Sequence, residues 1–289
     1  MTWLNITILA IVQGLAELLP VSSSAHVVVT EKLLGLDPTS PPMTLLLVML
    51  HTGTMFAVIA YFWQQWRSTY FQSLPAFRSF AIQVIVATGL TGVVGLGVLK
   101  VIEKTVFRGA PKAEIEDLFG RLEFIAPALA VAGILILIAG LYERRAAGRP
   151  APRDGDLDLR QAGIIGAIQG LCLPFRGFSR SGATISTGLL LGVPKVRAEA
   201  FSFALAVVLT PPVVAREALR LLHMPSVAAP GGLLPIVSMC AAGAVIAFAA
   251  GLLALRWLSG WLEGGRWYVF GIYCLVAAGG VLALYRAGV

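Results

Sequence analysis

The sequence predicts an all-α polytopic membrane protein: about six transmembrane helices plus two re-entrant helical hairpins in an inverted-topology repeat. Three observations carry this. Of the 289 residues 57% are hydrophobic and 13% charged, with mean hydropathy +0.84, whereas an ordinary soluble domain is about 25% charged. Several long stretches contain no Asp, Glu, Lys or Arg. Four shorter ones meet in pairs at breaks rich in proline, glycine and serine. This composition excludes a soluble globular domain, a disordered chain and a secreted disulfide scaffold.

In chain order, the first two short segments are Met1–Ala16 and Leu18–Thr30. The apolar start followed by small residues imitates a signal peptide, but no Lys or Arg precedes Lys32, and Gln13 and Glu17 interrupt the apolar core, so it reads as part of the mature fold. The long runs Pro38–Trp66, Ser79–Leu99 and Phe124–Tyr142 follow, each near the roughly 20 residues that span a bilayer core. After a charged loop at 143–160 come the second short pair, Gln161–Phe175 and Ser181–Pro194. Then Ala200–Ala215 continues through Arg216 toward the interface, and Leu221–Leu255 and Trp267–Tyr285 complete six spans.

The short arms reach roughly 20–24 Å at 1.5 Å per residue, against a core of about 30 Å. Two half-length helices joined by a polar turn make a re-entrant hairpin, whose irregular backbone survives at membrane depth only against protein or a wet cavity. The pairs also resemble each other. Ala10-Ile11-Val12-Gln13-Gly14-Leu15 recurs as Gly166-Ala167-Ile168-Gln169-Gly170-Leu171, and Ser22, Ser24, Thr30 and Gly35 recur as Ser179, Ser181, Thr187 and Gly192. Three crossings between the pairs make the repeat inverted, with halves at roughly 1–142 and 161–289 forming one integral membrane domain. Membrane proteins use such repeats to build a site near the midplane.

The net charge of +7 and pI of 9.7 come mainly from loops such as Arg144-Arg145 and Arg149, which reads as topology signalling and lipid headgroup contact rather than nucleic-acid binding. The dense Arg144–Arg160 loop favours its side as cytoplasmic. Cys172, Cys240 and Cys274 sit in apolar segments without metal-ligand spacing and read as packing thiols.

Ionisable groups in apolar segments are functional candidates: Glu17, His26, Arg180 and, less so, His51, which reads as cavity lining or a helix contact. Gln13 and Glu17 share a helix face at i and i+4, facing either a site or merely a neighbouring helix. Ser22, Ser23 and Ser24 suit the N-cap of a helix carrying His26, where free N–H groups and the dipole attract phosphate. Ser23 and His26, three apart, share a face; capping plus a buried histidine is the plain alternative. Ser179-Arg180-Ser181-Gly182-Ala183-Thr184 repeats the device and adds a guanidinium for bidentate phosphate contact. Gly166/Gly170 and Gly188/Gly192 read as GxxxG helix packing.

Gln13-Gly14-Leu15-Ala16-Glu17-Leu18-Leu19-Pro20-Val21-Ser22-Ser23-Ser24-Ala25-His26 together with Gly177-Phe178-Ser179-Arg180-Ser181-Gly182-Ala183-Thr184 resembles the bacterial undecaprenyl pyrophosphate phosphatase family, whose overexpression is associated with bacitracin resistance. The resemblance extends over nearly the whole chain. It implies a phosphatase of the bacterial inner membrane that converts undecaprenyl pyrophosphate to undecaprenyl phosphate at a site facing outward. Glu17, Ser23, His26 and Arg180 would be catalytic; Gln13, Ser22, Ser179, Arg180, Ser181 and Thr184 would bind pyrophosphate. The partners are then a polyprenyl pyrophosphate and membrane lipids, without nucleic acid, and a homodimer is compatible.

The chain departs from the family twice. Gln13 replaces an acid found in some relatives, and Pro174-Phe175-Arg176-Gly177 replaces a tighter Pro-Gly. The divalent cation implied by the resemblance, Mg2+ or Ca2+, then has Glu17 as its one obvious carboxylate and shares it with substrate phosphates. Ser23 is the expected nucleophile, with His26 and Glu17 handling the proton; attack by His26 or water stays open. A different membrane lipid phosphatase superfamily fails on spacing, since Ser186 stands where its histidine belongs. The rival from another class is an inverted-repeat transporter or lipid flippase that couples protons through Glu17 and His26.

Overall fold

The computed structural model describes residues 2–37, 41–105, 121–146, 157–222 and 234–288. These fold into α1 (Trp3–Leu18), α2 (Ser23–Leu33), α3 (Pro41–Thr69), α4 (Leu74–Thr105), α5 (Leu122–Ala146), α6 (Leu159–Cys172), α7 (Arg180–Leu190), α8 (Lys195–Leu222), α9 (Leu234–Glu263) and α10 (Trp267–Arg286), with no strand among the described residues. Six helices, α3, α4, α5, α8, α9 and α10, are long and apolar enough to cross a membrane. Their bounds overlap the six expected runs. Pro38 and much of the 143–160 loop lie outside the described residues, as do residues 223–233 of the run beginning at Leu221.

Four short helices form the expected pairs. Helix α1 begins with Thr2 accepting from the Asn5 N–H and ends where Leu19 turns extended, as the residue before Pro20 must. Helix α6 begins with a capping box between Asp158 and Gln161. Helices α2 and α7 end alike. Gly35 and Gly192 sit at positive φ, their N–H groups reach Lys32 O and Leu189 O, and the next N–H reaches Glu31 O and Gly188 O, which is the Schellman arrangement. Gly192 is therefore a helix stop and not a packing contact. Gly188 does pack, on Ala198.

Each hairpin's first arm packs on a long helix of the other half of the chain, α1 on α9 and α6 on α4. Gly14 lies against Ala247 and Ala250, while Gly166 and Gly170 lie against Ala87 and Thr91. The close approach also makes polar contacts, with Thr91 Oγ1 donating to Gly166 O at 2.8 Å and Gln169 Nε2 to Thr91 Oγ1 at 3.1 Å. A Cβ at Gly166 would run into the Ala87 backbone. Gly166→Leu should therefore lower the thermal midpoint in detergent by an amount equivalent to about 1–3 kcal/mol or more, while Gly89→Ala, where nothing stands near the added methyl, leaves it nearly unchanged.

Between α3 and α8 the aromatic rings of Phe62, Trp66 and Phe203 stack, and Trp66 Nε1 donates to Ala200 O. The outward faces stay apolar, as in Ile85, Val93 and Val276, each about 70% exposed. That is the pattern expected of lipid-facing helices rather than of a water-soluble surface. The three cysteines are free and buried.

Candidate active site

The turns of the two hairpins meet. Ser24 Oγ accepts from the Gly177 N–H at 3.4 Å, and Ser181 Oγ donates to Leu19 O at 3.4 Å. Gly177 has φ +103° with the Ile125 carbonyl where a Cβ would stand, so only glycine fits this crossing. The first turn contains Ser22, the only non-glycine residue at positive φ among the described ones, at 67°. Ser22 stands at the N-cap of α2 but makes no side-chain cap bond; its hydroxyl lies 3.3 Å from Ser24 Oγ. Ser179 caps α7 in the ordinary way, accepting from the Gly182 N–H.

Where the turns meet, side chains from four helices converge on Glu17. Arg180 Nη2 donates to Glu17 Oε1 at 2.9 Å. Ser23 Oγ donates to Oε2 at 2.5 Å, and Gln13 Nε2 donates to the same oxygen at 3.0 Å. His51 Nε2 lies 3.6 Å from Oε2. Its Nδ1 donates to Leu47 O at 2.8 Å, a geometry that keeps Nε2 pointed at the carboxylate. Glu17, His51, Thr54, Arg180 and Thr210 line one pocket. The Glu17 side chain is 14% exposed and Arg180 24%, so the ion pair is held largely out of water and still reachable.

The expected residues divide into two groups. Glu17, Ser23, Gln13 and Arg180 come together. His26 stands elsewhere: Nδ1 donates to Ser22 O at 2.8 Å, and Nε2 lies 2.7 Å from the Tyr273 hydroxyl. The physical reason is the left-handed Ser22, whose carbonyl takes both the backbone N–H and Nδ1 of His26. Ser22, Ser179, Ser181 and Thr184 are buried. Thr184 turns from the pocket to pair with Ser202 Oγ at 2.6 Å and with Arg180 O, so Ser179 and Thr184 shape the second turn. His51, read from the sequence as cavity lining or a helix contact, lines the pocket beside Glu17. Tyr273, which carried no sequence signal, meets His26 rather than the pocket.

A divalent cation has little to hold it here. Among the described residues there is no group of three or more His, Cys, Asp and Glu able to bind a metal, and Glu17 already engages both oxygens with Arg180, Ser23 and Gln13. One occupied carboxylate beside a neutral amide does not fit a protein-built Mg2+ or Ca2+ site.

Comparison with known proteins gives a consistent match. The family model of the bacitracin resistance protein BacA matches residues 6–280. The chain is 55% identical over 287 residues to "Undecaprenyl-diphosphatase 2" of Acinetobacter baylyi, covering 98% of each. It is 31% identical to "Undecaprenyl-diphosphatase" of Parabacteroides distasonis over 96% of each, and 34% identical to "Undecaprenyl-diphosphatase 2" of Burkholderia thailandensis over 93% of this chain and 92% of that one.

Proposed function

The chain belongs to the family of the bacitracin resistance protein BacA, and on that premise we propose that it is a multi-pass membrane phosphatase that hydrolyses undecaprenyl diphosphate to undecaprenyl phosphate and inorganic phosphate. The observation that carries the mechanism is the 2.5 Å hydrogen bond from Ser23 Oγ to Glu17 Oε2. It pairs a hydroxyl with a base in the geometry of an activated nucleophile. Arg180, at the N-terminus of α7, supplies charge and forked donors for the diphosphate. An arriving diphosphate competes with Glu17 for that guanidinium, so binding loosens the ion pair and leaves Glu17 free to take a proton.

Ser23 Oγ then attacks the terminal phosphorus while its proton passes to Glu17. The bond from that phosphorus to the bridging oxygen breaks, and undecaprenyl phosphate leaves with the oxygen. Water attacks the phosphoserine, inorganic phosphate departs, and Ser23 regains its proton from Glu17. His26, whose two ring nitrogens face Ser22 and Tyr273, holds the turn in this scheme. The lipid tail lies along the apolar helix faces.

Three finer points belong to the same reading. The halves at 1–142 and 161–289 form an inverted repeat, supported by the exchanged packing of α1 on α9 and α6 on α4 and by the matched ends at Gly35 and Gly192. The protein sits in the bacterial inner membrane with its site opening outward, where the spent carrier is released and is recycled for cell-wall glycans. A divalent cation, Mg2+ or Ca2+, would be held mostly by the diphosphate oxygens with Glu17 as its one protein carboxylate, and would supply positive charge against the phosphates.

The test is phosphate release from undecaprenyl diphosphate by the purified protein in detergent, where no gradient exists. Steady release is the expected result, abolished by EDTA and restored by Mg2+ or Ca2+. Release unaffected by EDTA removes the cation and leaves the phosphatase. No release by folded protein overturns the reading in favour of the transporter, which the relatives' names do not support.

A further inference from the structure

We propose that Tyr273 is a positioning residue for the reaction, acting through His26 on the Ser22–Ser23 turn that presents the nucleophile. The inference rests on the phosphatase reading above and adds a residue on a helix far along the chain from both motifs.

The argument starts from the backbone. A serine at φ 67° occupies a region that non-glycine residues visit sparsely and keep only where their surroundings over-determine them. Here the surroundings come from α10. Cys274 Sγ donates to Pro20 O at 3.3 Å on one side of the turn. On the other, Tyr273 reaches His26 Nε2 at 2.7 Å, with the rings stacked 5.7 Å apart at an interplanar angle of 12°. Consecutive residues of one helix thus grip the turn before and after Ser22.

The proton positions follow from the partners. The Ser22 carbonyl can only accept, so His26 Nδ1 carries the hydrogen. A neutral imidazole then has its lone pair on Nε2, and the Tyr273 hydroxyl donates to it. The relay runs from Tyr273 O–H to His26 Nε2 and from His26 Nδ1–H to Ser22 O. It fixes the tautomer and the ring orientation together, as a second partner does for a metal-bound histidine. The residue after the restrained carbonyl is Ser23, whose hydroxyl must stay within 2.5 Å of Glu17 Oε2. Without the tyrosine hydroxyl, Nε2 loses its donor, the ring is free to turn or change tautomer, and the Ser22 carbonyl loses one of its two restraints.

Tyr273→Phe keeps the ring and its stacking and removes only the hydroxyl. Misplacement of a reacting group by about 1 Å costs on the order of 10²-fold, so kcat should fall about 10- to 100-fold. KM should hold within about twofold, because Arg180 and the pocket are untouched. In a His26→Gln background the same substitution should cost nothing further, since the path is already cut. A direct readout is available because the chain has three histidines: with 15N-histidine labelling, Tyr273→Phe should shift the His26 ring resonances and leave those of His51 in place.

An unchanged kcat overturns the proposal, as does an equal loss in both backgrounds or an unmoved His26 resonance. If wild-type protein releases no phosphate, the phosphatase reading falls by itself. The resonance measurement then still decides whether Tyr273 fixes the His26 ring.

Discussion

Arg180→Ala lowers phosphate release about 10²–10³-fold, the loss typical of removing one preorganised donor to developing negative charge. The substitution deletes both the charge and the fork, and the N–H groups at the start of α7 offer only partial charge in their place. Arg180→Lys restores charge without bidentate geometry and recovers part of the rate, with a raised KM, because an ammonium meets phosphate as a point charge. Removing the guanidinium also leaves Glu17, 14% exposed in its side chain, without its closest cationic partner, which should cost about 1–3 kcal/mol. Thermal melts of both variants separate the effects: the alanine variant melts lower, the lysine variant near the parent, and both lose rate. Normal release by folded Arg180→Ala would remove Arg180 from the mechanism.

The two motifs are legible because apolar surroundings make polar residues conspicuous. Glu17 and Arg180 lie in half-length apolar arms, where an ionisable group needs a partner, and each turns out to be the other's. The six long helices were legible because their apolar runs match the bilayer thickness. Helix periodicity sets His26 near the face of Ser23, and both residues do lie in α2; what periodicity leaves open is where the side chains turn, Ser23 to Glu17 and the His26 ring back to the Ser22 carbonyl and Tyr273. Nothing in Val21-Ser22-Ser23-Ser24 signals a left-handed serine, since its restraint comes from α10, some 250 residues away. Tyr273 was hidden for the same reason: a tyrosine in an apolar helix is ordinary until its partner is known. Likewise Gln169, the repeat counterpart of Gln13, turns to Thr91 and only helps helix packing. The sequence pattern matches the two segments, but only the tertiary contacts tell which of the two glutamines serves the site. The site is accordingly asymmetric, with the acid and Ser23 on the first hairpin and the guanidinium on the second.

Glu17→Gln should reduce kcat on the order of 10²–10⁴-fold, the usual contribution of a positioned general base. The amide matches the carboxylate in shape and still accepts from Ser23, so the architecture persists, but it cannot take the serine proton. The effect on KM runs the other way. In the parent, Arg180 is tied to Glu17 at 2.9 Å, and substrate must compete for it; a neutral amide weakens that tie, so KM should hold or fall while kcat collapses. Such a split is the mark of a group that stabilises the transition state while opposing substrate binding. His26→Gln supplies the contrast. If Ser23 hands its proton to Glu17, the histidine variant retains more rate than Glu17→Gln, because it disturbs the turn rather than the base. Initial rates across a range of substrate concentrations measure all three numbers. A His26→Gln loss exceeding that of Glu17→Gln would make the imidazole the base, and would require Nε2 to leave Tyr273 during turnover.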